Sequence, residues 1–305
     1  MNGRVVTVTG EADPAELGIC YPHEHLLTAP PGTDDDLVLG NEQAALRELR
    51  WFQSAGGRSL VDMTPVDYGR DVRGLRRLAR RSRIRIIAAT GWHKDAYCRP
   101  WVEGRSLTDL ASEVVRDLTL GVDGTGIRTG VIKVATSLGV VTPAERLAIR
   151  AAARGSMETG APIFTHTEAG TMADEQLDLL VAEGVSAERI AIGHVDRRLD
   201  FDAHRALMDR GATLIYDQIS KEKYASDAHR VEMLARLIDA GYADRLMLSG
   251  DLARRSYLPG YGTGGGPGLT YLLWRFLPWL RSEGVPEDAI TTITVTNPAK
   301  CLTWH

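Results

Sequence analysis

Short apolar runs alternate with longer amphipathic stretches along most of the chain. The short runs are rich in Val, Ile and Leu, which is typical of parallel strands that are buried on both faces. Eight such runs are predicted as strands, at residues 17–25, 59–64, 85–90, 130–135, 162–167, 189–194, 212–217 and 245–251. The stretches between them repeat apolar residues at helical spacing and predict helices at residues 42–54, 106–120, 143–159, 173–183, 202–210 and 227–240.

Strands that alternate with helices predict the α/β class. Eight strand–helix units in 305 residues favour a closed (β/α)8 TIM barrel, and an open doubly wound sheet is the alternative that the pattern leaves. The chain contains no Pro/Ser-rich linker and no repeat, so residues 1–305 are expected to form one domain.

Polar residues near the ends of the predicted strands strengthen the barrel prediction. Ligand-type side chains lie at or near the C-terminal ends of the first, fourth, fifth, sixth and eighth strands, as His23 and His25, Lys133, His166, His194 and Asp251. Barrel enzymes build their active sites at that end, so these side chains are expected to meet at one rim.

Composition and charge argue against several kinds of partner and location. A net charge of −4 and a pI near 6.1 argue against nucleic acid as a partner, and the arginine-rich run at residues 70–85 is interpreted as a solvated helix whose Leu75, Leu78 and Ala79 face inward. No signal peptide and no stretch of about 20 apolar residues is present, which predicts a cytoplasmic protein without a membrane partner. Three widely spaced cysteines fit reduced thiols, and Cys20 is expected to pack in a strand.

The histidines predict a metal site. In His23-Glu24-His25 the alternation of side chains along a strand directs both imidazoles to one face and Glu24 to the other. Alone, a His-x-His pair is as often structural as metal-binding. His166 and His194 each stand at the end of an apolar strand, and these two further histidines favour metal binding over a structural role. Imidazoles together with the Asp251 carboxylate suit zinc, with manganese or cobalt as alternatives.

Lys133 interrupts an apolar strand, where an unpaired ammonium would be costly. Two interpretations remain open from the residues alone. The lysine pairs with Asp251 or another acid, or its amine has a lowered pKa and carries a carbamate that bridges two metals.

The ordered set of ligand-type residues resembles the phosphotriesterase-like branch of the amidohydrolase superfamily over nearly the whole chain, including the late Asn297-Pro298-Ala299. The resemblance implies two divalent ions. It places His23, His25 and Asp251 around the more buried ion, His166 and His194 around the more exposed one, and a carboxylated Lys133 between them.

That resemblance also implies a mechanism. Two ions that share a water lower its pKa and yield a hydroxide nucleophile, and Asp251 takes the proton and passes it to the leaving oxygen. The chain has no Gly-x-Ser-x-Gly sequence, in keeping with hydrolysis that uses no serine nucleophile.

The loops after the last two strands suggest a substrate. Lys-x-Lys-Tyr at residues 221–224, the Asp-x-x-Arg-x-Ser-Tyr run and the glycine-rich loop are similar to a subgroup that hydrolyses lactones of phosphorylated five-carbon sugars. The resemblance assigns the substrate phosphate to Lys223, Arg254 and Tyr257. The same stretches are similar to the phosphotriesterase homology subgroup, which has Glu at the bridging position where this chain keeps Lys133.

Differences from the quorum-sensing lactonases also favour a sugar lactone substrate, since His93 and Gln218 stand where those enzymes have Tyr and Arg. His93 is a candidate contact for the lactone ring. A phosphotriesterase or carboxylesterase with the same metals is the alternative enzyme, and a catalytically silent metal-binding protein is the alternative outside enzymes. The resemblance further implies a small-molecule substrate and a homodimer.

We interpret His204, His229 and His305 as surface residues, and Trp274, Phe276, Trp279 and Leu280 as core or pocket wall rather than an interface.

Overall fold

Eight parallel strands form a nearly closed barrel in a computed structural model that describes residues 3–32, 34–262 and 264–304. Each barrel strand pairs with the next one along the chain, so the predicted (β/α)8 TIM barrel is confirmed. A short antiparallel hairpin, β1 (Val5–Thr7) and β2 (Gly10–Ala12), precedes it. The barrel strands are β3 (Ile19–Glu24), β4 (Gly57–Asp62), β5 (Arg85–Gly91), β6 (Val131–Thr136), β7 (Ile163–Thr167), β8 (Ile190–Gly193), β9 (Thr213–Tyr216) and β10 (Leu246–Leu248).

The helices lie between the strands and cover the barrel from outside. They are α1 (Glu42–Ser54), α2 (Val72–Ser82), α3 (Asp95–Val102), α4 (Leu107–Thr119), α5 (Pro143–Thr159), α6 (Ala173–Ala182), α7 (Phe201–Asp209), α8 (Asp227–Asp239), α9 (Leu277–Ser282), α10 (Glu287–Thr291) and α11 (Asn297–Leu302). The six helices predicted from periodicity all form within a residue or so of their expected bounds, and α2 confirms the arginine-rich helix. The last strand is shorter than its apolar run, because the chain leaves the sheet after Leu248.

The core has two layers. On β6 the residues alternate, with Val131 in the cluster inside the barrel and Ile132 and Val134 in the cluster between strands and helices. Lys133 follows Val131 at the strand period of two and therefore also faces the interior. Cys20 is buried in the inner cluster, as expected.

Strand β3 contains a bulge that matters for the site. Tyr21 pairs with Leu60 but Glu24 pairs with Asp62, so three steps along β3 match two along β4. The extra residue reverses the inward and outward alternation. Tyr21 packs in the outer cluster, while His23 and His25 two positions apart are turned to the barrel interior.

The barrel closes at a seam between β3 and β10, where the described residues form no backbone ladder. Side-chain hydrogen bonds and one backbone hydrogen bond close it instead. The Ser249 hydroxyl donates to the His23 carbonyl (2.6 Å), and the Asp251 N–H donates to the same carbonyl (3.1 Å). Glu24 points away from the cavity, as predicted, and accepts from the backbone N–H groups of Gly250 and Leu252.

Some surface expectations were wrong. His204 is buried because its ring bonds the Tyr216 hydroxyl (2.7 Å) and lies against the Val195 carbonyl (3.2 Å). Trp274 is 58% exposed and Trp279 is 37% exposed, since both lie on the outer side of their helical segment, whereas Phe276 and Leu280 are in the core. His229 is exposed as expected, and His305 lies outside the described residues. Within the described ranges, no helix combines the length and apolarity needed to cross a bilayer.

Candidate metal centre and substrate cavity

His23, His25 and Asp251 converge at the seam. Asp251 Oδ1 lies 3.3 Å from Nε2 of His25 and 3.7 Å from Nε2 of His23. The ligand atoms of all three residues lie within 4.8 Å of one another, which is the spacing that one metal ion requires. Asp251 has a left-handed backbone with φ of 46°, a sparsely populated conformation for a non-glycine residue.

Asp217, the first residue after β9, links two imidazoles. Its Oδ2 lies 2.8 Å from Nδ1 of His23, and its Oδ1 accepts from Nδ1 of His194 at 2.7 Å. Burial alone would raise the pKa of Asp217, but the two imidazoles outweigh it and hold the pKa below its usual value. An ionised carboxylate beside both Nδ1 atoms leaves the Nε2 atoms of the two imidazoles to act as metal ligands.

Lys133 is buried between these groups, and its Nζ lies 3.1 Å from Nε2 of His23. In the described part of the chain its ammonium forms no ion pair with an acid. Burial lowers the pKa of Lys133 to about 8, so the amine is easier to deprotonate than an ordinary lysine. A neutral amine is the form that reacts with carbon dioxide.

His166 and His194 occupy the more open side of the cluster. Their rings meet edge to face with centroids 4.4 Å apart, and Nε2 of His166 lies 3.2 Å from Oε2 of Glu168. His194 has a φ of 61°, which lets the chain turn directly after β8. Glu168 also pairs with Lys94 at 2.5 Å and with Arg197 at 2.9 Å, so one carboxylate ties together the loops after three strands.

The donor set fits a divalent ion. Burial lowers the pKa of His23 to about 3 and the pKa of His166 well below its usual value, so both imidazoles are neutral at pH 7 and present a lone pair. Neutral imidazoles and a carboxylate around a point from which water is largely excluded are the ligands that zinc prefers.

The cluster forms the floor of a cavity of about 280 Å3. Three of the residues predicted for the substrate, Arg254, Tyr257 and His93, line this cavity. Lys223 does not line it and is exposed, with its Nζ 5.5 Å from the Tyr257 ring. Arg254 pairs with Asp34 (3.2 Å) and Asp36 (3.3 Å) of the loop after the first barrel strand.

The structure adds residues to which the sequence analysis gave no role. Asp217, like Asp251, is an acid directly after an apolar strand, so the sequence pattern that identified Asp251 could also have identified Asp217. Lys221, Glu168 and Arg197 lie on loops, and their inward orientation depends on turn geometry that no periodicity encodes.

A parallel barrel with buried imidazoles and a carboxylate at the C-terminal ends of its strands, facing a cavity of small-molecule size, has the active-site arrangement of a barrel enzyme. The chain belongs to the phosphotriesterase family, whose profile matches residues 3–302.

Relatives and solved structures agree with that membership. The chain is 36% identical to the phosphotriesterase homology protein of Escherichia coli over 93% of this chain and 97% of that protein, and a crystal structure of that protein holds phosphate in its active site (TM-score 0.91, 35% identity, 94% and 99% of the two chains). It is 31% identical to a phospho-furanose lactonase of Mycoplasmopsis synoviae, over 98% of this chain and 91% of that protein. A lactonase of Listeria monocytogenes superposes with a TM-score of 0.95 at 33% identity, over 99% of both chains.

Proposed function

We propose that this protein opens the ring of a lactone, and that its substrate is a phosphorylated sugar lactone. Two relatives named as a lactonase and a phospho-furanose lactonase support the reaction. The observation that carries the proposal is the convergence, in one cavity, of a buried metal-type donor set with Arg254 and Tyr257, a cation and a phenol suited to an anion.

We infer that His23, His25 and Asp251 hold one divalent ion, that His166 and His194 hold a second, and that a carboxylated Lys133 joins them. Zinc is the metal we propose, and manganese or cobalt would suit the same donors. When bound, the ions would activate water and polarise the lactone carbonyl.

The protein's own groups then complete the hydrolysis. Water adds to the carbonyl carbon, the ring C–O bond breaks, and one proton must move from the attacking water to the ring oxygen. We assign that proton to the Asp251 carboxylate, whose Oδ1 faces the imidazole cluster. His93 stands on the cavity wall, stacked on Tyr97 with centroids 5.2 Å apart, where it would contact the sugar ring.

Arg254 and Tyr257 of the cavity wall are assigned to the phosphate, and Lys223, which lies outside the cavity lining with its Nζ 5.5 Å from the Tyr257 ring, is assigned to it as a more distant cation. A substrate phosphate would compete with Asp34 and Asp36 for the Arg254 guanidinium, so binding requires these carboxylates to share or release it. The phosphate in the active site of the Escherichia coli relative supports an anion in this region.

The test compares phosphorylated and unphosphorylated forms of the same sugar lactones with a zinc-loaded enzyme. We expect kcat/KM to be at least about 10-fold higher for the phosphorylated form, which equals about 1.4 kcal/mol of transition-state binding. Arg254→Ala should remove most of that preference while leaving the unphosphorylated rate nearly unchanged. Equal rates for the two forms would refute the phosphate assignment.

A phosphotriesterase or carboxylesterase with the same metal centre is the alternative. An organophosphate triester and a simple carboxylic ester belong in the same panel, and a higher kcat/KM for either than for every lactone would favour the alternative. The homodimer and the cytoplasmic location stay predictions, and sedimentation velocity would test the first of them.

A further inference from the structure

Lys221 is a buried lysine at the edge of the cavity, with only 4% of its side chain exposed. Its Nζ lies 2.8 Å from Oδ2 of Asp251, 2.6 Å from the Asp251 carbonyl oxygen and 3.2 Å from Oε1 of Gln218. An ammonium has three N–H donors, and three protein acceptors take all of them. Lys221 therefore has no donor left for a substrate phosphate.

The two oxygens of the Asp251 carboxylate have different partners. Oδ1 faces Nε2 of His25 at 3.3 Å, whereas Oδ2 accepts from Lys221 and from Nε2 of Gln218, both at 2.8 Å. The carboxylate is thus fixed in one rotamer with Oδ1 toward the imidazole cluster.

The loop that carries Lys221 is itself held in place. The Lys221 N–H donates to the Gln218 carbonyl (3.0 Å), and the Ser220 N–H donates to the Asp227 carboxylate (3.0 Å). The Gln218 N–H donates to Asp196 (2.9 Å). Since the backbone N–H groups of Gln218, Ser220 and Lys221 are each tied to a turn or to a buried acid, the position of the ammonium is set by the fold rather than by solvent.

We propose that Lys221 is a positioning residue for the hydrolytic reaction. By binding Oδ2 and the carbonyl of Asp251, it keeps Oδ1 directed at the attacking water and holds the strained backbone of Asp251 at its positive φ. The proposal rests on the proposed role of Asp251 in the reaction. It gives the two lysines of the loop different roles, since Lys221 acts through Asp251 whereas Lys223 is assigned to the substrate phosphate.

The experiment compares K221M and K221R with K300M, in which an exposed lysine of α11 undergoes the same change. K221M should lower kcat about 10- to 100-fold, as is typical when a group that orients a metal-site residue is removed. The loss should be equal for phosphorylated and unphosphorylated lactones, with KM changed less than about 2-fold. K221R should recover part of kcat, and K300M should match the wild type.

A second readout needs no turnover. In protein loaded with Co2+, the visible absorption bands report the geometry of the ligands, so K221M should shift them and K300M should not. This measurement tests Lys221 even if no lactone is hydrolysed, in which case the proposed substrate fails separately. If K221M does not fold, K221Q, which keeps a donor without the charge, replaces it with the same expectations. An unchanged cobalt spectrum, or a loss confined to KM for the phosphorylated lactone, would overturn the proposal.

Discussion

At the scale of single residues, the Asp217 carboxylate governs how two imidazoles face the cavity. It engages Nδ1 of both His23 and His194, which our assignment places on different ions. One side chain therefore sets the orientation of a ligand from each half of the site.

Asp217→Asn should weaken zinc binding. The amide has a single acceptor oxygen, so one of the two imidazoles loses its acceptor and the correct tautomer. We expect the affinity for zinc to fall about 10- to 100-fold, measured as zinc retained during titration with a competing chelator. Asp202→Asn, which alters an exposed carboxylate, is the matched control, and equal retention in both variants would contradict the assignment.

Lys133→Ala should lower kcat at least about 100-fold, because no carboxylate then joins the two proposed ions. Lys133→Glu supplies a carboxylate directly and should recover part of that loss. Steady-state kinetics at saturating zinc measure both variants. An alanine variant as active as the wild type would show that Lys133 is a packing residue.

The sequence indicated which residue types stand at the strand ends, because a histidine or an aspartate after an apolar run has few structural reasons to be there. It did not indicate which nitrogen each imidazole presents or which carboxylate orients it. Those properties depend on Asp217 and Lys221, whose distances to their partners are set by the barrel as a whole.

At the scale of elements, helix α8 is anchored by a buried arginine. Arg230 donates to Asp196 (2.8 Å) and to Asp227 (2.9 Å), and none of the three side chains is more than 1% exposed. Because Asp196 and Asp227 also hold the backbone at Gln218 and Ser220, this triad connects the helix to the cavity loop.

Arg230→Met should destabilise the fold by about 3–5 kcal/mol, because it leaves two buried carboxylates without a cation. Urea unfolding of the metal-free protein measures the loss. Arg236→Met, an exposed arginine on the same helix, should cost less than about 1 kcal/mol. Similar costs for the two variants would mean that the buried triad adds little to stability.

Periodicity found the elements that are long and regular, and missed those that are not. Helix α3 has Pro100 inside it and spans only eight residues, so its helical pattern is weak. The bulge in β3 falls between Tyr21 and Glu24, where Pro22 cannot donate to the ladder, but a single proline does not specify how the strand pairs with β4. The sequence still predicted that His23 and His25 point inward together, because residues two apart along a strand share a face.

At the scale of the whole molecule, buried acids make stability depend on pH. Burial raises the pKa of Asp67 from 3.8 to about 7, with an opposing contribution from the His93 N–H that it accepts. The folded protein keeps this proton up to about pH 7, whereas the unfolded chain loses it near 3.8. The folded state therefore binds more protons in that window, and this contribution to stability falls as pH rises through it.

Asp67→Asn removes this titration and keeps an acceptor for His93. Relative to the wild type, the metal-free variant should gain about 2–3 kcal/mol in free energy of unfolding between pH 5 and pH 8. Urea unfolding of both proteins at the two pH values gives the difference. A difference that stays constant with pH would show that Asp67 titrates normally.

Metal binding should tighten the seam, because His23 and His25 lie on one side of it and Asp251 on the other. At 100 times its Kd, zinc should raise the free energy of unfolding by about 2.7 kcal/mol and slow hydrogen exchange in β3 and β10. His25→Ala should show a smaller effect on both. Stabilisation without protection of these two strands would place the ion elsewhere.

The seam has a consequence for how the protein is made. Strand β3, which contains His23 and is followed directly by His25, leaves the ribosome among the first segments, and the strand that leads to Asp251 is among the last. A nascent chain that stops short of residue 246 lacks both the last barrel strand and the carboxylate that completes the first proposed ligand set. On our assignment, the ion held by His23, His25 and Asp251 would therefore bind only after nearly the whole polypeptide has been translated.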